Sequence, residues 1–181
     1  MNESLNFNSS RVTTAGLNLQ IALRDWISSY EHSHFVTLNF HRQYSDTAAQ
    51  HKLRLWSLDV IARLFRSREF ATSSLHDIFR FTAFFEDTLK NEPHLHLLLH
   101  VHPDRAVRFE SIASNLWRSI VPSGTCDVRR ITQTTADQQR VISYATKQAN
   151  RPISYETFIT SNMLDLPEPR PRRTKSVARV H

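Results

Sequence analysis

Pro93-His94-Leu95-His96-Leu97-Leu98-Leu99-His100-Val101 reads as a buried β-strand that carries two imidazoles on one face. Side chains alternate along a strand with a period of two, so His94 and His96 share a side while Leu95, Leu97 and Leu99 take the other. Imidazole is the commonest metal ligand among side chains, and two of them one strand repeat apart can fill two positions on one ion. The pattern His-x-His recurs at His32-Ser33-His34 and at His100-Val101-His102. Context separates the three. His32 and His34 stand where an earlier strand begins, and His102 precedes Pro103 at a strand exit. Only His94 and His96 open an apolar run with a carboxylate on the strand before it.

That preceding strand is predicted over about 77–86. Phe79, Phe81 and Phe85 face one way and Thr82, Phe84 and Glu86 the other, and 87–92 reads as a polar hairpin loop. Upstream, a helix is expected over about 17–30, with Leu19, Leu23, Trp26, Ile27 and Tyr30 on one side. A strand follows at 34–40. Asp46 or Thr47 can cap a helix to about Phe65, whose stripe is Leu53, Trp56, Val60, Ile61 and Leu64. Downstream, Asp104 opens a helix to about Ile120, which Pro122-Ser123-Gly124 breaks. A fourth strand is expected over about 125–133, and a helix capped by Thr134 or Thr135 runs through Gln148. The order strand, helix, strand, strand, helix, strand predicts an α+β fold: a ferredoxin-like split βαβ core with a mainly antiparallel sheet and packed helices. We expect a disordered N-terminus over 1–15, one domain over 16–160, and a basic, Pro- and Arg-rich disordered tail over 161–181.

Composition narrows the function. The 181 residues carry a formal charge of +6 and a pI near 10.0, which favours a polyanionic partner such as nucleic acid, against a merely solvated basic surface. Two glycines leave no Gly-rich phosphate loop and no P-loop motor. One cysteine, Cys126, excludes an internal disulfide and fits a small buried hydrophobe in a reducing compartment. No apolar run reaches membrane-spanning length and no signal-peptide pattern is present, so no membrane partner is expected.

A hairpin at 87–92 brings Glu86 and His94 to adjacent strands, and strand parity can put Glu86, His94 and His96 on one face. One hard carboxylate with two imidazoles suits Mg²⁺ or Mn²⁺ at a phosphodiester; the plainer reading is exposed strand residues beside a loop. On the last helix, Tyr144 and Lys147 are three apart and hence neighbours. A nearby cation favours the phenolate, which makes Tyr144 a candidate nucleophile; the plainer reading is a core tyrosine with its hydroxyl at the rim.

Together these residues resemble the HUH endonuclease superfamily, in particular the single-tyrosine Rep proteins that initiate rolling-circle replication. Phe35-Val36-Thr37-Leu38-Asn39 looks like the first Rep motif, Pro93-His94-Leu95-His96 the His-hydrophobe-His motif, and Tyr144-Ala145-Thr146-Lys147 the Tyr-x-x-Lys motif. The resemblance spans about 34–149. It implies a divalent ion (Mg²⁺ or Mn²⁺) held by Glu86, His94 and His96, and attack by Tyr144 on single-stranded DNA at a replication origin. It also implies a 5′-phosphotyrosine intermediate and assistance from Lys147. With no helicase motif in the sequence, a host helicase and polymerase would be partners, in the cytoplasm, or in the nucleus for a eukaryotic virus. Arg129, Arg130, Arg140 and Arg151 are candidate backbone contacts, and Tyr155 reads as packing rather than a second nucleophile. A single-strand transposase of the same superfamily and a non-catalytic nucleic-acid-binding module are the alternatives. A structural zinc site is disfavoured by the missing cysteines. Neither the first helix nor the basic tail is accounted for by the resemblance.

Overall fold

The computed structural model describes residues 14–65, 75–86, 93–147, 158–164 and 166. Its elements are α1 (Thr14–Ser28), β1 (His34–Asn39), α2 (Asp46–Leu64), the one-turn α3 (Leu75–Ile78), β2 (Phe79–Glu86), β3 (His94–Val101), α4 (Pro103–Ile120), β4 (Thr125–Arg130), α5 (Thr135–Ala145) and β5 (Phe158–Thr160), followed by a 3₁₀ turn at Ser161–Leu164. The sheet order is β4-β1-β3-β2-β5, and every neighbouring pair is antiparallel. Four of those strands in the order 4-1-3-2, with α2 and α4 as crossovers, are the ferredoxin-like core expected from the sequence. β5 is an added edge. The histidine strand β3 lies at the centre.

Parity assigns the faces. Leu95, Leu97, Leu99 and Val101 of β3 join Val36 and Leu38 of β1 and Phe79, Phe81 and Ala83 of β2 in one core. α2 closes it with Leu53, Trp56, Val60, Ile61 and Leu64, and α4 with Phe109, Ala113, Leu116 and Trp117. The Trp56 indole N–H donates to the Ala113 carbonyl at 3.1 Å, which satisfies the one polar group of a fully buried ring. The opposite face carries a smaller cluster: Phe35, Phe84 and Leu98 under Leu23 and Ile27 of α1 and Val141, Ile142 and Ala145 of α5. Burial pushes the Cys126 thiol up to about 12, in keeping with a packed, unreactive side chain.

Several boundaries differ from the sequence reading. Ser45, not Asp46 or Thr47, caps α2, its side chain accepting from the Ala48 N–H. His102 caps α4, and Pro103 begins it, a position where the missing N–H costs nothing. β2 starts at Phe79 because 75–78 form a helical turn. β4 stops at Arg130 because the Thr132 N–H and hydroxyl both donate to Asp137 Oδ2, turning the chain into the Thr134 cap of α5. α1 begins at Thr14, inside the segment assigned to a disordered N-terminus. Beyond 160, Ser161 and Leu164 are buried, and Arg54 donates to the Leu164 carbonyl at 2.9 Å. The 87–92 loop, Gln148, Arg151, Tyr155 and the tail from Pro167 lie outside the described residues. Among the described residues no helix is long and apolar enough to cross a membrane.

Gly124 sits where the chain leaves α4 against β1. A Cβ there would meet the Trp117 indole nitrogen at 2.5 Å and the Asn39 carbonyl oxygen at 2.6 Å, two atoms that hydrogen-bond each other. Gly124→Ala is therefore expected to destabilise by about 2 kcal/mol through overpacking, read as a lower urea midpoint. Val107→Ala, at a side chain 73% exposed, should move it by less than about 0.5 kcal/mol.

Candidate functional site

The site lies on the α1/α5 face. β3 delivers His96 to its centre, flanked in register by Thr37 of β1 and Phe84 of β2. Its ring is buried and held on every side. The Thr37 hydroxyl contacts Nδ1 at 3.1 Å, and Glu86 Oε2 lies 2.6 Å from Nε2. Phe35 stacks on one face, with centroids 5.5 Å apart and planes 16° from parallel. Tyr144 meets the ring edge-on at 5.1 Å and 74°. Burial pushes the His96 pKa down, and the Glu86 contact only partly offsets this. The neutral imidazole that results can donate from one nitrogen and accept at the other, which suits a carboxylate on one side and a hydroxyl on the other.

Glu86 ends β2 directly opposite His94. Its second oxygen, Oε1, accepts from Lys147 Nζ at 2.9 Å. Burial would raise the Glu86 carboxyl, but hydrogen bonds from Lys147 and His96 outweigh it and hold the group below the ordinary carboxylate range. Lys147 in turn lies over the Tyr144 ring, 4.1 Å from its centroid. Burial works against its charge, while Glu86 first and Tyr144 second overcome that and raise its pKa.

α5 aims these last two side chains. Val141, Ile142 and Ala145 face the sheet, which leaves Tyr144 at the margin, 48% exposed, with its ring edge against Phe35 at 5.8 Å. Thr146, at the end of the helix, is fully buried and is held from α1: Gln20 donates to its carbonyl at 3.1 Å and Arg24 to its hydroxyl at 3.0 Å. The helix that the sequence reading left unexplained thus fixes the end of α5 where Tyr144 and Lys147 stand.

All five residues expected to carry chemistry, Glu86, His94, His96, Tyr144 and Lys147, therefore share one sheet face. They do not form a closed metal cage: among the described residues no three His, Cys, Asp or Glu side chains converge so as to hold an ion. Glu86 and His96 touch, whereas His94 faces the same way two residues along β3. The donor chemistry, one carboxylate and two imidazoles, fits a hard divalent cation. Sequence reasoning placed Thr37 and Phe35 in a motif without seeing their contacts with His96. Of the arginines, Arg129 lies over the Phe35 ring at 5.7 Å. Arg130 points to the other face and pairs with Glu110 at 2.8 Å, and Arg140 pairs with Asp137 on its own helix.

The other histidine pairs are structural. His34 is fully buried, contacts Glu110 at 3.0 Å and meets the Phe109 edge at 5.2 Å. His32 Nε2 donates to the Ile27 carbonyl at 3.1 Å. His100 lies near the Asp77 carbonyl at 3.2 Å.

No family model matches the chain, and no curated protein matches its sequence. A crystal structure of the hypothetical protein ORF119 from Sulfolobus islandicus rod-shaped virus 1 is similar over 74% of this chain and 96% of that one, at 15% identity and a TM-score of 0.41. At that TM-score the likeness supports no inference about this chain.

Burial pushes His32, His34, His96 and His100 below the ordinary histidine value. The unfolded chain then binds protons that the folded chain refuses, so stability falls as pH drops through about 6.5. The urea midpoint at about pH 5 should lie below that at neutral pH. His34→Gln, far from the site, should flatten the slope, and an unchanged slope would show that His34 is not depressed in the folded chain.

Proposed function

We propose that this chain nicks and joins single-stranded DNA by the chemistry of a single-tyrosine HUH endonuclease. One observation carries the reading. Tyr144 stands edge-on to His96, and Lys147 links the Tyr144 ring to the Glu86 carboxylate, so a phenol, a cation, a carboxylate and an imidazole occupy one patch. Glu86, His94 and His96 would hold Mg²⁺ or Mn²⁺, which when bound polarises a phosphate oxygen.

The chain's own groups do the rest. The Tyr144 hydroxyl oxygen attacks phosphorus, its proton passing to solvent. A tyrosine O–P bond forms and the P–O3′ bond breaks, leaving a 5′-phosphotyrosine and, after protonation, a free 3′-hydroxyl. Lys147, kept charged by Glu86, lowers the cost of the phenolate and of charge on the phosphate. Already protonated, it cannot be the base. Thr37 and Phe35 orient the His96 ring. The reverse reaction rejoins strands, which serves a rolling-circle initiator and a single-strand transposase equally; cleavage at a replication origin selects the first.

A non-catalytic nucleic-acid-binding module is the second reading. It is favoured by the exposed rings of Trp26 and Tyr30 on the same face, beside a net charge of +6.

With Mn²⁺ and 3′-labelled single-stranded DNA from the replicon that carries its gene, the protein should acquire label that survives denaturation. Tyr144→Phe should abolish the adduct. Lys147→Met should slow its formation by about 10²–10³-fold, and His96→Ala by at least about 10²-fold. An adduct that persists in Tyr144→Phe refutes the assigned nucleophile. DNA binding without any adduct selects the module.

A further inference from the structure

Trp26, near the end of α1, and Tyr30, two residues beyond it, depart from the apolar stripe expected over 17–30. Helical spacing places them with Leu23 and Ile27 against the core, yet they are 39% and 45% exposed. Their rings stand nearly at right angles, 5.6 Å apart and 76° inclined. They form two walls of a cavity of about 150 Å³ between α1, β2 and β5, with Leu98 and Thr82 beneath and Arg80 and Asn162 beside it. A space of about that volume admits a benzene-sized ring.

This cavity is on the same sheet face as Tyr144. Leu98, beneath the cavity, is two residues beyond His96 on β3, about 7 Å along the strand. Rings connect the two places. Phe84 lies opposite His96 in register, Phe158 is 6.2 Å from Phe84, and Trp26 is 6.0 Å from Phe158. Arg80, whose guanidinium stands 5.9 Å from the Tyr30 ring and donates to the Glu31 carbonyl at 3.3 Å, places a fixed positive charge beside the stack.

We propose that this cavity takes up one unpaired base of a DNA strand, stacked on Trp26 against the edge of Tyr30, on the sheet face that carries Tyr144. An exposed ring face that is indifferent to base identity is what single-strand binding uses, and Arg80 supplies the counter-charge for the adjoining phosphate. The link to Tyr144 rests on the nicking mechanism; the stacking does not.

Intrinsic fluorescence isolates the event. Of three tryptophans, Trp56 and Trp117 are fully buried, so a stacked base quenches Trp26. The full chain is titrated with an oligothymidylate of about twelve nucleotides and with its abasic sugar-phosphate analogue. Quenching is expected with the first and not the second. Trp26→Ala and Tyr30→Ala should each weaken oligothymidylate binding by about tenfold, and Trp26→Phe should restore most of it while removing the signal. The abasic strand should bind the chain and Trp26→Ala alike. Tyr144→Phe should quench as the unaltered chain does. Binding without quenching, unchanged affinity in both alanine variants, or no binding at all overturns the proposal. Quenching without a covalent adduct leaves the pocket standing and refutes nicking; an adduct without quenching does the reverse.

Discussion

Glu86 ends β2 with both carboxylate oxygens engaged, one by the His96 imidazole at 2.6 Å and the other by the Lys147 ammonium at 2.9 Å. A carboxylate withdrawn from water is costly unless such partners meet it. Here they come from two other elements. His96 lies on the neighbouring strand, and Lys147 just beyond the end of α5. The pairing therefore fixes strand register and helix placement together. A slip of one residue between β2 and β3 would send Glu86 and His96 to opposite faces and break their contact. That lysine contact is worth little in water, so the buried imidazole is the stronger constraint.

The two faces of the sheet divide the work. On the α2/α4 side the strands present leucine, valine and phenylalanine almost without interruption, against two buried tryptophans. That side is the main core. On the α1/α5 side the same strands present Thr37, Glu86, His94 and His96, with only Phe35, Phe84 and Leu98 as large apolar groups. The polar residues can be tolerated there because the other face supplies the burial. Period-two alternation allows one strand to serve both roles, which a helix of the same length could not do so cleanly.

That alternation is also what made the site legible in sequence. Once 79–86 and 94–101 are strands, parity alone puts Glu86, His94 and His96 on one side, and helical spacing alone makes Tyr144 and Lys147 neighbours. The contacts of Thr37 and Phe35 with His96 were not legible. They depend on pairing between β1 and β3, distant segments whose register no local pattern records. β5 was missed because three residues are too few to show a period. The early end of β4 turns on Asp137 reaching back to Thr132, a turn interaction that composition does not reveal. Trp26 and Tyr30 were misplaced for a different reason. Helical spacing gives the width of an apolar stripe but not the width of what it covers, and beyond Leu23 and Ile27 the sheet and α5 offer no further cover.

α1 then has a physical role that the βαββαβ core does not demand. Gln20 and Arg24 grip Thr146 at the end of α5, while Trp26, on the same helix, walls the cavity over β2. A helix keeps a fixed geometry over that span, so the end of α5 and the Trp26 wall move together. The Thr146 grip is strong for its size, because the hydroxyl is fully buried and also donates to the Ile142 carbonyl at 2.8 Å. Losing it would strand buried polar groups rather than simply release a surface contact. A strand running from the Trp26 wall to the Tyr144 ring would thus meet two aromatic points that α1 ties together.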